Sequence, residues 1–106
     1  MEKCNFNDSI KETLIKLYEK LKLFKSPFTS DIDLNNNVLT WKVANIGDYV
    51  FNKQSPTKQL WISSPISGPI KFDFVDCKFY NKKSDLFFKK YIRNEISSIK
   101  LRHNEK

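Results

Sequence analysis

The stretch that decides the fold covers residues 47–74 and reads GDYVFNKQSPTKQLWISSPISGPIKFDF. Apolar and polar residues alternate in three runs of this stretch, which predicts strands over residues 49–53, 59–64 and 70–74. Corners rich in Ser, Pro and Gly separate the runs, and these residues favour turns and interrupt strands. The stretch therefore predicts three consecutive strands of an antiparallel sheet.

Shorter β-prone runs lie on both sides of this stretch. Residues 28–34 and 38–43 predict two earlier strands, and the Asn-Asn-Asn run at 35–37 predicts the turn between them, since Asn tolerates positive φ. Residues 77–80 predict a short later strand. Together the runs predict a meander of five or six strands.

An amphipathic helix is predicted before the strands, from residue 8 to residue 25. Its apolar residues recur at steps of three and four, which places them on one side of a helix. They are Ile10, Leu14, Leu17, Leu21 and Phe24. Asp8 or Ser9 is expected to cap the first turn, and Ser26-Pro27 to end the helix, because the residue before Pro leaves the helical region.

A second helix is expected to begin at Ser84-Asp85, after the strands. Its apolar stripe consists of Phe88, Ile92, Ile96 and Ile99. Residues 102–106 read as a frayed tail of a single domain that spans residues 1–106. Two helices with one apolar stripe each can cover one side of the sheet. The predicted fold is therefore α+β, a two-layer α/β sandwich with two helices packed on one face of a five- or six-stranded antiparallel sheet.

The alternation also assigns the strand residues to the two faces of the sheet. Apolar residues must face the helices, so the other face is open to solvent and carries a polar set. That set is Asn52, Trp61, Ser63, Lys71 and Asp73. Trp61 is expected to be largely exposed there and indicates an interface anchor, because Trp dominates interface hot spots; the alternative is that it only shields neighbouring strands. Trp41 alternates with core residues and is expected to be buried.

The stretch 47–74 resembles the central sheet of the frataxin family, small iron-associated proteins of iron–sulfur cluster assembly. It shares with that family the Asn-Lys-Gln triplet, the Trp within a strand and the Ser-Ser-Pro and Gly-Pro corners. The resemblance implies that five residues face a cluster-assembly scaffold and a cysteine desulfurase, and these are Asn52, Lys53, Gln54, Trp61 and Lys71. The two corners look eukaryotic, which favours a mitochondrion or a mitochondrion-derived organelle, a mitosome.

The chain departs from the family in the acidic ridge that the resemblance would place on the first helix and strand. Five lysines outnumber three acids between residues 8 and 25, a net charge of +2. The remaining candidates for weak, exposed iron binding are Asp31 and Asp33 first, then Glu12, Glu19 and Asp8. Solvated surface carboxylates without a metal role are the alternative, and a nearby Lys competes for Asp8 and Glu12. Carboxylates suit hard cations, and no organic cofactor is expected.

The bulk composition limits the functions that fit the chain. A net charge of +7 predicts an acidic partner or an anionic surface, with a genomic composition bias as the alternative. Cys4 and Cys77 stand far apart, so no paired-thiol zinc or redox motif is expected, and a reducing compartment is favoured over secretion. His103 is the single His, which argues against a His-based zinc site and against Cys–His catalysis. No apolar run approaches the ~20 residues of a membrane span, so no membrane partner is expected.

Three functions follow from these residues and the resemblance. The first is a non-catalytic assembly factor that docks on the desulfurase–scaffold complex and promotes sulfur transfer, with weak iron binding or delivery. The alternative is ferroxidase-type iron oxidation and storage, which needs clustered carboxylates. A basic nucleic-acid-binding domain is the third, but the lysines are scattered and no RNA-binding aromatic pattern is present. We expect a monomer that binds protein rather than nucleic acid.

Overall fold

A computed structural model describes residues 4–23 and 29–104 of the chain. Within these residues two helices enclose seven strands in chain order. The elements are α1 (Phe6–Leu23), β1 (Thr29–Asn35), β2 (Val38–Val43), β3 (Gly47–Gln54), β4 (Gln59–Ser64), β5 (Gly68–Val75), β6 (Lys78–Asn81), β7 (Leu86–Phe87) and α2 (Phe88–Asn104). The predicted limits of β2 and β4 are confirmed to the residue, and the other predicted strands differ by one or two residues at their ends.

The strands form one antiparallel sheet in which each strand pairs with its sequence neighbours, in the order β1 to β7. Both helices pack on the same face, since their buried residues join a single core cluster with the inward residues of the strands. This confirms the two-layer α/β sandwich. The count of seven strands exceeds the predicted five or six because β7 has only two residues, too few for alternation to reveal.

The core is built from alternate strand residues, as the pattern predicts. Trp41 is fully buried and stacks on Tyr49 of the neighbouring strand, with 4.9 Å between their ring centroids. Phe51 stacks on Tyr49 in turn at 6.1 Å. Phe72 lies edge-on to Tyr91 of α2 at 5.2 Å. The contact between Phe72 and Tyr91 joins α2 to the sheet. The prediction that Trp41 is a core residue is confirmed.

Close packing at the end of the sheet explains one of the two glycines. Gly47 begins β3 with φ at +143°, a conformation that residues with a side chain rarely adopt. A Cβ atom built there would lie 2.8 Å from Cβ of Pro65. The glycine therefore allows the start of β3 to pass directly against the corner after β4.

The helix starts differ from the predictions. Asn5 caps α1, because its Oδ1 accepts a hydrogen bond from the backbone N of Asp8 at 2.8 Å. The predicted cap at Asp8 or Ser9 is therefore wrong, and α1 begins at Phe6. Phe24, Lys25 and the Ser26-Pro27 stop lie outside the described residues.

The second helix begins later and extends further than predicted. Ser84 and Asp85 belong to the turn before β7, where Asp85 has a φ of +57°, so they do not cap α2. The helix continues through Asn104, whereas fraying was expected from residue 102. Neither helix among the described residues has the length and hydrophobicity that a membrane span requires.

A disulfide joins Cys4 and Cys77, whose Cα atoms are 5.7 Å apart. Their separation in sequence offered no reason to pair them, but the fold places the start of α1 beside the turn between β5 and β6. Phe6 contacts Phe74 and Phe79 edge-on at 5.9 and 6.2 Å, which holds this end of α1 against the sheet. The sequence alone did not predict this pairing.

Candidate functional site: the open sheet face

The face of the sheet away from the helices carries most of the predicted docking residues. The strand register places Asn52 opposite Trp61, and Trp61 opposite Lys71. These three residues therefore form one transverse row across β3, β4 and β5. Alternation along each strand assigned all three residues to the open face. The pairing of the strands makes them direct neighbours.

A chain of hydrogen bonds connects this row to the next. Trp61 Nε1 donates to Oε1 of Gln59 at 2.8 Å, and Gln59 Nε2 donates to Oδ1 of Asp73 at 2.8 Å. Gln54 pairs with Gln59 in the register and extends the second row. Gln59 was absent from the predicted site, although its position two residues before Trp61 placed it on the same face.

The Trp61 side chain is half-buried rather than largely exposed. Lys71 explains the difference, because its Nζ lies 4.5 Å from the centroid of the Trp61 ring. A cation at that distance from an aromatic face is attracted by the ring quadrupole. The indole is therefore held in one orientation by Lys71 on its face and by Gln59 on its nitrogen.

Two predicted residues join neither row. Ser63 is exposed on the open face, between Val50 and Pro69 in the register. Lys53 pairs with Leu60, a fully buried residue, and so belongs to the helix-facing side of β3. Lys53 is thus separated from Asn52 by the sheet itself.

A groove of about 730 Å³ runs along the row on this face. Its lining includes Trp61 and Lys71 of the row, Asn81 at the end of β6, and Lys83 and Ser84 of the turn between β6 and β7. Sequence reasoning missed these turn residues, because nothing in the local pattern shows that the turn approaches β4 and β5.

A buried carboxylate supports the corner between β4 and β5 from the helix side. Glu95 of α2 is 4% exposed. Its Oε1 accepts hydrogen bonds from the hydroxyls of Tyr49 at 2.6 Å and Ser64 at 2.8 Å, and its Oε2 accepts one from Ser67 at 2.5 Å. Ser64 Oγ also accepts from the backbone N of Ile66 and of Ser67, at 3.0 and 2.9 Å. The carboxylate therefore ties α2 to β3 and to the corner.

Burial changes the acidity of two tyrosines near Glu95. Burial in the core raises the pKa of Tyr49, and the hydrogen bond to Glu95 raises it further. Burial likewise raises the pKa of Tyr91, with the charge of Glu95 as a second cause. Both hydroxyls therefore stay protonated in the folded protein well beyond the pH at which an exposed tyrosine ionises.

The predicted iron candidates are spread over both sides of the molecule. Asp31 and Asp33 lie exposed on one face of the edge strand β1, and the register places Lys42 opposite Asp31. Glu12 on α1 forms an ion pair with Lys16, with 3.1 Å between Oε2 and Nζ. Within residues 4–23 and 29–104, no three His, Cys, Asp or Glu side chains group closely enough to hold a metal ion.

Comparison with known proteins identifies the fold as that of a known family. The family profile described as a frataxin-like domain matches residues 1–101. The chain belongs to the frataxin family. A solved trimeric frataxin from the yeast Saccharomyces cerevisiae, complexed with ferrous iron, superposes with a TM-score of 0.74 at 26% identity and covers 93% of this chain and 88% of its own.

Frataxin relatives match the chain over different lengths. A frataxin from Trachipleistophora hominis is 43% identical over 70 residues, which are 66% of this chain and 65% of that protein. A mitochondrial frataxin from Dictyostelium discoideum is 31% identical over 99 residues, 89% of this chain and 51% of that protein. The chain thus spans between about half and two thirds of these two relatives.

Proposed function

We propose that this frataxin-family protein is a non-catalytic factor of iron–sulfur cluster assembly. In this proposal it docks through its open sheet face on a complex of cysteine desulfurase and scaffold protein and promotes sulfur transfer. The observation that supports the proposal best is the row of Asn52, Trp61 and Lys71 on a face that neither described helix covers. Family membership supports the choice of partner.

The geometry of Trp61 suits an interface anchor. Gln59 and Lys71 already fix the ring, so little side-chain freedom remains to be lost when a partner binds. Part of the indole surface remains available for contact. No residue performs covalent chemistry in this mechanism. Binding instead shifts the desulfurase toward an active conformation that it already samples, by the difference in affinity for the two states.

The proposal is tested with Trp61→Ala. We expect this change to weaken binding to the purified desulfurase–scaffold complex by about 2 kcal/mol, or roughly thirtyfold, as for other interface hot spots. The free energy of unfolding should fall by only about 1 kcal/mol, since the ring is half-buried. Leu101→Ala is the control, because Leu101 is an apolar side chain on α2 that is 63% exposed.

Binding by calorimetry and sulfide production by the desulfurase measure the two effects. Wild-type stimulation by a folded Trp61→Ala variant would refute the proposed role of the open face. Asn52→Ala and Lys71→Glu are expected to act in the same direction with smaller effects.

Iron enters the proposal as a cargo that the protein binds weakly. The yeast neighbour complexed with ferrous iron supports this step. In this chain Asp31 and Asp33 are the best pair, because they share one side of β1 and their carboxylates suit hard cations; Glu12, Glu19 and Asp8 are secondary. Ferroxidase-type oxidation remains the alternative, and oxygen consumption during a ferrous titration distinguishes it from simple binding.

We further propose a location in a mitochondrion or a mitosome, since several relatives are named as mitochondrial frataxins. A monomer is the proposed state, although the yeast neighbours are described as trimeric. Light scattering at micromolar concentration, with and without ferrous iron, measures the oligomeric state directly.

A further inference from the structure

One end of the molecule carries most of the excess positive charge. Residues 76–93, which include β6, β7 and the first turns of α2, are named here the basic corner. They hold six basic and two acidic side chains, a net charge of +4 out of +7 for the chain. The six are exposed, and they are Lys78, Lys82, Lys83, Lys89, Lys90 and Arg93.

Local stability does not explain this charge. The first turn of α2 contains no acidic residue, and Lys89 and Lys90 stand there instead. Cations at a helix N-terminus are unfavourable, because the aligned peptide dipoles make that end positive. Of the two acids in the corner, Asp85 already accepts a hydrogen bond from the Tyr80 hydroxyl at 2.6 Å.

The basic corner borders the groove on the open face. Lys71 and Lys83 both line the groove. Its floor includes Val50 and Pro69, two apolar residues that flank Ser63 in the register of the open face. Asn81 fixes this arrangement: its Nδ2 donates to the backbone O of Lys71 at 2.7 Å, and its Oδ1 accepts from the Ser84 backbone N at 2.7 Å. The groove thus has an apolar floor beside two lysines, and Asn81 ties together the backbone segments that carry them.

We infer that this groove binds an extended acidic segment of a partner protein, with carboxylates at Lys71 and Lys83 and one apolar side chain on the floor. The inference rests on the proposed function for the identity of the partner. Charge complementarity selects an acidic ligand, and a concave floor of this kind accepts a side chain but not the flat surface of a bilayer. Single-stranded nucleic acid needs an aromatic face on which a base can stack, and Lys71 covers one face of Trp61.

The test uses the whole chain and the blocked synthetic peptide EELEE as the probe. We expect the peptide to change the fluorescence of Trp61 and the NMR shifts of Lys71 and Lys83. Lys83→Glu should weaken binding roughly fivefold, because it turns an attractive pair into a repulsive one. Lys11→Glu is the matched control, because it makes the same charge change at an exposed residue of α1. It should change the affinity less than about twofold, since a distant surface charge is screened. Lys83→Gln removes the positive charge without adding a negative one, so we expect it to weaken binding by an intermediate factor. This variant keeps the test valid if Lys83→Glu does not fold.

Several outcomes would overturn the inference. Equal weakening by Lys83→Glu and Lys11→Glu would mean that net charge alone attracts the peptide, and equal affinity for EESEE would mean that the floor is unused. Shifts at Lys71 and Lys83 caused by a thymidine oligonucleotide or by phosphatidylserine vesicles, but not by the peptide, would assign the groove to another ligand. Peptide binding without any stimulation of the desulfurase would support the groove as a binding site and reject the proposed function. Stimulation that is insensitive to Lys83→Glu, with no peptide binding, would support the proposed function and reject the groove as a binding site.

Discussion

Replacing Glu95 tests how the fold holds the corner beside the open face. The Glu95 carboxylate is 4% exposed and accepts three hydroxyl hydrogen bonds of 2.5–2.8 Å. Glu95→Ala leaves the hydroxyls of Tyr49 and Ser64 buried without their acceptor, at about 1–3 kcal/mol each. Ser67 is exposed and can turn to water. Adding the cavity left by the side chain, we expect the free energy of unfolding to fall by about 3–5 kcal/mol, a large part of the stability of a domain of this size.

The isosteric variant separates charge from shape. In Glu95→Gln one oxygen can still accept from Tyr49 and Ser64, and the amide can donate to Ser67. Only the charge assistance of the hydrogen bonds is lost, so we expect a decrease of about 1–2 kcal/mol. Asn94→Ala, an exposed change on the same turn of α2, should stay within about 0.5 kcal/mol.

Urea unfolding followed by tryptophan fluorescence measures these differences, since Trp41 is fully buried and stacks on Tyr49. A double-mutant cycle with Tyr49→Phe isolates one hydrogen bond of the network. A decrease of less than about 1 kcal/mol for Glu95→Ala would mean that the carboxylate holds nothing in place. Equal decreases for Gln and Ala would mean that the retained oxygen and amide contribute nothing without the charge, and would contradict the smaller effect expected for Gln.

Three further predictions concern pH, the disulfide and iron. Because the pKa values of Tyr49 and Tyr91 are raised in the folded state, their contribution to stability is fully present below the ordinary tyrosine pKa of about 10 and is lost as the pH rises beyond it. The urea midpoint of unfolding should therefore fall above that pH. Ionisation of both residues near pH 10 in the folded protein, measured by ultraviolet titration, would contradict this prediction. Cys77→Ser removes the disulfide between Cys4 and Cys77, which are 73 residues apart in sequence, and should lower the free energy of unfolding by about 2–4 kcal/mol. Equal melting temperatures for the variant and the oxidised wild type would show that the disulfide contributes nothing. Asp31→Asn combined with Asp33→Asn should remove most of a weak ferrous binding isotherm measured without oxygen, whereas tight sites that survive both changes would place the iron elsewhere.

The sequence by itself determined the layers of this protein and the face of each strand residue. Side chains alternate strictly along a strand, so one apolar series fixes which residues face the helices. This is why β2 and β4 are correct to the residue and why Trp41 and Trp61 are on opposite sides. The same alternation, with the family resemblance, selected Asn52, Trp61 and Lys71.

Only the tertiary structure decided which of these residues are neighbours. Strand register, which places Asn52, Trp61 and Lys71 in one row, depends on the packing of all the strands together. The burial of Glu95, the approach of Lys83 to the groove and the pairing of Cys4 with Cys77 join residues distant in the chain. Local periodicity gives the direction of a side chain but not its partner, because the partner is selected by contacts that form only when the whole sheet and both helices are assembled.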